Sequence, residues 1–139
     1  MNIPPLLSYA LIVSASLCFA QQPSQAQTPA HVPVMNGAAG PCSLDVTVLD
    51  LNAKPVYAAS VKVHVAYGFG GFHKLDLEAG TNADGKLKFT GLPDRVRRPP
   101  LEFNATKNDL AGLATVDPST ECEAKRVITL SPHKSQDDH

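Results

Sequence analysis

The chain has 139 residues, a formal net charge of −1, 43% hydrophobic residues and 18% charged residues. Its length suits one domain rather than two, and its balanced charge excludes a nucleic-acid-binding protein that works through a broadly basic surface. With 12 Pro, 9 Gly and no Trp, the composition favours a turn-rich β protein over a helical bundle.

The first twenty residues have the character of a targeting segment. They contain no Asp, Glu, Lys or Arg, and residues 6–20 form a mostly apolar run of 15 residues. A membrane-spanning helix needs roughly 20 apolar residues, whereas a run of this length is typical of a secretion signal. We therefore expect residues 1–20 to be a signal peptide cleaved after the small residue Ala20. Because the bulky Leu17 precedes Cys18, we do not expect Cys18 to be lipidated.

Export and cleavage predict a secreted or periplasmic protein with no transmembrane anchor after processing. Residues 21–41 are rich in Gln, Pro, Ala and Gly and contain no Asp, Glu, Lys or Arg, which predicts a flexible linker. Residues 132–139 are polar and are expected to form a disordered tail. The folded domain is then expected to span residues 42–131.

Between these ends, seven short segments show the alternation of apolar and polar residues that marks half-buried strands. In residues 60–66, for example, Val61, Val63 and Val65 share one face. Turn residues separate the segments, and the Asp84-Gly85 pair is a strong tight-turn signal. The pattern predicts an all-β, seven-stranded sandwich of the immunoglobulin type. The expected strands are residues 44–51, 60–66, 73–78, 86–90, 101–105, 112–116 and 126–130.

Cys42 and Cys122 are the two cysteines that remain after removal of the signal. In an exported chain, two cysteines suggest a disulfide, and the alternative is two free thiols. Cys42 lies just before the first expected strand and Cys122 just before the last. If those two strands are parallel neighbours, both cysteines lie at the same end of the sandwich and a disulfide joins them.

Two segments resemble a known family. Residues 54–63 (KPVYAASVKV) resemble the opening signature of the carboxypeptidase regulatory-like domain, G-K-P-V-x-G-A-x-V-x-V. Residues 81–93 (TNADGKLKFTGLP) resemble its second signature, T-D-x-D-G-x-F-x-F-x-x-L-P. The chain has Ala58 where the family often has Gly, and Asn82 where Asp is usual. The resemblance covers residues 44–130.

The resemblance implies a transthyretin-like (prealbumin-like) β-sandwich, a fold that in this family is usually non-catalytic. The transthyretin-like fold also hosts a hydrolase of hydroxyisourate, which ends in Tyr-Arg-Gly-Ser. Since this chain ends in SPHKSQDDH, we regard a transthyretin-like hydrolase as the less favoured reading.

The histidines and tyrosines give no metal-ligand pattern. His64 and His73 lie on or near adjacent expected strands, but no HxH or HExxH spacing occurs. Together with Tyr57 and Tyr67 they resemble the iron ligands of intradiol dioxygenases, whose spacing this chain does not match. Residues 82–85 lack the alternating carboxylates of a calcium loop and are better explained as a turn. We expect no metal, no cofactor and no enzymatic activity.

Two loops are candidates for binding. Arg95, Arg97 and Arg98 form the one local basic cluster, which either meets an acidic partner, anionic glycan or lipid head group, or is simply solvated. The segment GFGGF that follows Tyr67 either exposes Phe69 and Phe72 for binding or, as we expect, packs them inward as part of a strand crossover.

The sequence thus predicts an exported, non-catalytic module that binds a protein or glycan of the cell envelope or extracellular space, with no role for nucleic acid. The alternative is a structural or spacer protein without a specific ligand. Because edge strands of a sandwich can pair between chains, the protein is expected to be a monomer or an edge-paired dimer.

Overall fold

A computed structural model describes residues 31–133 of the chain. These residues form nine strands and one short 3-10 turn at Phe69–Gly71, so the all-β prediction is confirmed while the predicted number of seven strands is wrong. The expected signal peptide, residues 1–20, lies outside the described residues. The strands are β1 Val34–Asn36, β2 Cys42–Leu49, β3 Ser60–Tyr67, β4 His73–Gly80, β5 Lys86–Leu92, β6 Leu101–Lys107, β7 Leu110–Val116, β8 Glu123–Thr129 and β9 Ser131–Pro132.

The strands form two sheets that pack face to face as a sandwich. The first sheet has the order β1-β5-β2-β8, and the second has the order β4-β3-β6-β7-β9. Pairing is antiparallel throughout the second sheet, whereas β1 pairs with β5 and β2 pairs with β8 in parallel. The two sheets are not joined into a closed barrel. Strands β1 and β8 are the edges of the first sheet, and β4 and β9 are the edges of the second.

The core lies between the sheets and follows the alternation of the sequence. Leu44, Val46 and Val48 of β2 are fully buried, as are the three valines of β3 that face them from the second sheet. Phe89 of β5 and Phe103 of β6 meet across the core with ring centroids 5.2 Å apart. Burial of these apolar side chains is the main favourable term in folding of the sandwich.

The two extra strands lie in segments that the sequence suggested were unstructured. The expected linker at residues 21–41 contains β1, and the expected tail at 132–139 begins within β9. Backbone pairing holds β1, since the amide of Lys88 donates to the Pro33 carbonyl and the amide of Gly37 donates to the Thr90 carbonyl. The sandwich therefore extends beyond the expected range of residues 42–131. Residues 21–30 and 134–139 lie outside the described part of the chain.

A disulfide joins Cys42 and Cys122, as expected, with their Cα atoms 4.5 Å apart. The bridge follows from the parallel pairing of β2 and β8, in which Ser43 lies opposite Glu123. The residues that precede this pair, Cys42 and Cys122, therefore lie next to each other at one end of the first sheet. The bridge closes a separation of 80 residues.

No helix within residues 31–133 is long and apolar enough to cross a membrane.

Candidate functional site

One end of the sandwich carries the two segments that resemble the family signatures. We call this the motif end and define it as residues 54–60, which lead into β3, and residues 81–85, which join β4 to β5. Thr81 connects them, and it is the one buried polar residue among those described, at 4% exposure. Its hydroxyl donates to the Val56 carbonyl at 2.6 Å and accepts from the Ala59 amide at 3.0 Å.

The turn at the motif end is closed by its own side chain. The Asn82 Oδ1 atom accepts hydrogen bonds from the backbone amides of Asp84 and Lys86, at 3.0 and 2.9 Å. Gly85 has φ 71°, in the left-handed region that favours glycine. The Asn82 amide oxygen closes this turn as a carboxylate oxygen would, because either oxygen can accept from the following backbone amides. The side chains of Thr81 and Asn82 are thus engaged with the backbone of the motif end.

The opposite end of β3 brings the two candidate binding loops together. We call this the loop end and define it as residues 67–72 and residues 94–100. Tyr67 and Val96 form an isolated antiparallel bridge. The Arg97 amide donates to the Ala66 carbonyl at 2.8 Å, and its Nη1 atom donates to the Gly70 carbonyl at 3.3 Å. Two segments separated by more than twenty residues in the sequence therefore form one surface.

Three glycines determine the backbone conformation of the loop formed by residues 67–72. Gly68, Gly70 and Gly71 all have φ between 67° and 78°. Each is also covered by a side chain, because an added Cβ atom would meet the ring of His73, the ring of Phe72 and the Arg97 Cδ atom, respectively. Backbone conformation and limited space thus both require glycine here.

The two phenylalanines of this loop face solvent. Phe69 is 94% exposed and Phe72 is 82% exposed, so the expectation that they pack inward is wrong. The left-handed glycines turn the chain away from the core at this point, and the 3-10 turn carries both rings outward. Tyr67 is half-buried and stacks on His73, with ring centroids 5.3 Å apart. Both phenylalanine rings are therefore exposed on the loop whose Gly70 carbonyl accepts a hydrogen bond from Arg97.

A groove of about 710 Å³ lies beside the loop end, on the outer face of the second sheet. It forms where β3 and β6 diverge, since the two strands pair only from Ser60 opposite Thr106 to Val63 opposite Phe103. Residues 96–100 occupy the widening gap and form one wall. The charged and polar side chains that line the groove belong to His64, Lys74, Arg97, Arg98, Glu102 and Asn104.

Positive charge predominates in this groove. Three cationic side chains line it against the single carboxylate of Glu102. Lys74 and Arg98 make no side-chain hydrogen bond or ion pair within the described residues, and the Arg97 guanidinium contacts only a carbonyl. Arg95 belongs to the same loop but does not line the groove. A groove lined mainly by cations attracts anions.

The histidines and tyrosines do not assemble into a metal site. Tyr57 precedes β3 and is 66% exposed, whereas Tyr67 ends that strand. His64 lies opposite Asp76, and its Nδ1 atom is 2.5 Å from the Asp76 Oδ1 atom. His73 is instead engaged with Tyr67. Within residues 31–133, no group of three or more His, Cys, Asp and Glu side chains is placed to hold a metal ion.

No family model and no curated protein matches this sequence. Among solved structures, 3-chlorocatechol 1,2-dioxygenase from Rhodococcus opacus 1CP is similar over 73% of this chain and 64% of its own, with 12% identity and a TM-score of 0.48. Catechol 1,2-dioxygenase from Pseudomonas arvilla C-1 is similar over 77% of this chain and 60% of its own, with 13% identity and a TM-score of 0.49. The chain thus spans less than two thirds of the length of either enzyme.

Proposed function

We propose that this protein is an exported, non-catalytic β-sandwich module that binds a protein or glycan of the cell envelope through the loop end. One observation carries the proposal: the loop end presents two exposed phenylalanine rings next to arginines that form no ion pair with any carboxylate of residues 31–133. Aromatic residues, including phenylalanine, and arginine are enriched in protein interfaces relative to the rest of the surface. Most of each phenylalanine side chain faces solvent in the described part of the chain, so both are available to a partner.

Export is part of the proposal, and two features support it. The apolar, uncharged segment at residues 1–20 has the length of a secretion signal. The Cys42–Cys122 disulfide suits an oxidising compartment such as the periplasm or the extracellular space. We propose a carboxypeptidase regulatory-like origin for the module, on the strength of the two segments that meet at the motif end.

Intact-mass measurement tests the export part. The full chain is expressed in an exporting host, and the purified product is weighed before and after reduction. We expect the mass of residues 21–139, and a gain of one hydrogen atom per cysteine on reduction. A product that retains residues 1–20, or that gains no mass with reductant, contradicts this part of the proposal.

Binding is tested by capture from native envelope extract, with the oxidised exported chain as bait. An Arg97→Glu, Arg98→Glu double variant provides the comparison at the loop end. A Lys86→Glu, Lys125→Glu double variant is the matched control, because both lysines are exposed on the first sheet, away from the loop end. We expect a saturable, competable partner that the wild type and the control retain and the arginine variant loses. Equal capture by all three proteins contradicts the role of the loop end, and capture by none favours a spacer protein without a ligand.

A further inference from the structure

The groove beside the loop end offers free hydrogen-bonding groups as well as charge. The side chains of Glu102 and Asn104 project from the outer face of β6 and make no hydrogen bond to other described residues. His64 lies on the neighbouring strand β3, in the same groove, and its Nδ1 atom already contacts Asp76, which leaves the Nε2 atom for a ligand. A carboxylate, an amide and an imidazole placed together can donate to and accept from many hydroxyl groups. Such a set suits a ligand with hydroxyls along its length.

The charge of the groove is local rather than a property of the whole chain. The chain carries a formal net charge of −1, yet Lys74, Arg97 and Arg98 face a single carboxylate in the groove. A guanidinium forms paired hydrogen bonds with a carboxylate or sulfate, and a lysine adds a point charge. The occupant is therefore expected to carry anionic groups.

The aromatic rings of Phe69 and Phe72 do not line the groove, but they belong to the loop that borders it. Gly71 lines the groove and lies between Phe69 and Phe72, and the Phe72 ring covers Gly70. The hydrogen bond from Arg97 to the Gly70 carbonyl fixes this loop against the groove wall. A flat apolar ring next to polar groups matches a sugar ring, which presents C–H bonds on its faces and hydroxyls at its edge.

Two other occupants fit less well. A membrane surface is nearly flat, whereas these cations line a concave groove that lipid head groups in a plane would not fill. An extended peptide that adds a strand needs a free strand edge. At this place the edge of β3 already pairs with the arginine loop, through the Tyr67–Val96 bridge and the hydrogen bond from the Arg97 amide to the Ala66 carbonyl.

We infer that the groove between β3, β6 and residues 96–100 binds an acidic glycan, with Arg98 and Lys74 contacting its carboxylates or sulfates and Phe69 and Phe72 contacting a sugar ring. The inference rests on the proposed function and names the ligand class of the same surface. Binding of an acidic glycan differs from general attraction of anions, because it requires both anionic groups and sugar rings in the ligand.

Calorimetric titration of the exported chain tests this with defined probes. The probes are a galacturonate tetrasaccharide, its fully methyl-esterified form and a sulfated heparin tetrasaccharide. The ester keeps the sugar rings and removes the negative charge. We expect at least one acidic probe to bind, with the ester at least about tenfold weaker, since charge-assisted hydrogen bonds are the strongest in such a site. The two acidic probes show whether carboxylate or sulfate is preferred.

Variants locate the binding. Arg98→Gln and Lys74→Gln are each expected to weaken binding of the acidic probe about tenfold, and a Phe69→Ser, Phe72→Ser double variant is expected to weaken the acidic probe and the ester alike. The matched controls, Lys86→Gln and Lys125→Gln, are expected to bind as the wild type does. Because all these side chains are exposed, the variants should fold, and circular dichroism checks that they do.

Failure of the glycan assignment can be distinguished from failure of the proposed function. If no probe binds, or the ester binds as well as the acid, the assignment is overturned. The proposed function survives that result if envelope capture still depends on Arg97 and Arg98. If the chain instead sediments with anionic vesicles, and loses this when Phe69 and Phe72 are changed, the ligand is a membrane surface and the glycan assignment is again overturned.

Discussion

The two ends of strand β3 use similar short loops in opposite ways. At the motif end, the hydroxyl of buried Thr81 and the side chain of Asn82 are engaged with backbone atoms. At the loop end, Phe69 and Phe72 are exposed, and Arg98 has no hydrogen-bonding or ionic partner among the described residues. The first end closes the fold, whereas the second leaves side chains available to another molecule.

This difference explains why the recognisable pattern does not point to the binding surface. A turn that must satisfy buried backbone groups requires particular residue types, so it leaves a signature in the sequence. A binding surface requires only that suitable side chains meet, and residues 67–72 and 94–100 meet through the fold. The local sequence pattern therefore marks the motif end of the molecule and not the end that we propose binds.

The largest expected effect comes from the disulfide, which holds the first sheet at the loop end, where Cys42 lies opposite Leu92. The Cys42→Ala, Cys122→Ala variant is expected to lower the free energy of unfolding by about 2–5 kcal/mol, since a bridge over this separation contributes about 4.5 kcal/mol in the chain-entropy model. Urea unfolding with and without reductant measures it. A loss below about 1 kcal/mol contradicts a structural role for the bridge.

Thr81→Val should be the most damaging single change at the motif end. It keeps the shape of the side chain but leaves the Ala59 amide without its hydroxyl acceptor and the Val56 carbonyl without its donor, which is expected to cost about 1–3 kcal/mol. Thr106→Val, on the exposed face of β6, is the control and is expected to change stability by less than about 0.5 kcal/mol. Equal losses in urea unfolding of the two variants would remove the special role of Thr81. Ligand capture is expected to be unchanged in both.

Gly71→Ala tests the loop end. The change places a Cβ atom on a residue with φ 68° and against the Arg97 side chain, so we expect a loss of about 1 kcal/mol together with weaker envelope capture. Gly80→Ala is the control, because its added Cβ would meet only the Ala59 carbonyl oxygen at 3.9 Å. If the Gly71→Ala variant captured the partner as well as the Gly80→Ala variant does, binding would not depend on the present backbone conformation of residues 67–72.

Ala58→Gly is expected to stabilise the motif end slightly. Ala58 has φ 55°, a conformation that costs an L residue about 1–2 kcal/mol, and the resembling family often has Gly there. After subtraction of the greater unfolded-state entropy of Gly, we expect a gain of about 0.5 kcal/mol. The neighbouring Ala59 is fully buried, so Ala59→Gly is expected to destabilise. Thermal unfolding that ranked both variants below the wild type would be inconsistent with relief of strain at residue 58.

The smallest effect concerns a cation that, unlike Arg98, already has a partner. The hydrogen bond from Arg126 lowers the pKa of Glu121 below its ordinary value of 4.5. A lowered folded-state pKa contributes stability above pH 4.5 that is lost as the pH falls through the folded-state pKa. We expect Glu121→Gln to remove this acid-side loss, with little effect at neutral pH because the pair is exposed. Stability measured from neutral to acid pH should fall less steeply in the variant, and an unchanged slope contradicts the linkage.

Local pattern was enough to predict the strands that build the core. The alternation around Val46 and Val63 reflects one buried face per strand, and the turn at Asp84-Gly85 needs a residue that tolerates positive φ. The disulfide was also predictable, because Cys42 begins one strand and Cys122 directly precedes another, and these two strands are parallel neighbours. These features depend on residues close together in the sequence or on one simple assumption about topology.

Strand β1 and the groove depend on contacts between distant segments and left no local signal. Strand β1 is held by backbone pairing with β5 and has no apolar alternation of its own. The groove exists because β3 and β6 diverge beyond Val63, and no residue in either strand indicates this divergence.

The solvent-facing position of Phe69 could have been suspected from the glycines on both sides of it, which adopt left-handed conformations.

We propose that the loop end binds a partner and that the motif end does not. Hydrogen exchange of backbone amides, measured on the exported chain with and without a captured envelope fraction, tests it most directly. We predict slower exchange in residues 67–72 and 94–100 on addition of the fraction, and no change in residues 54–60 and 81–85. Protection of the motif end with none at the loop end would contradict the account.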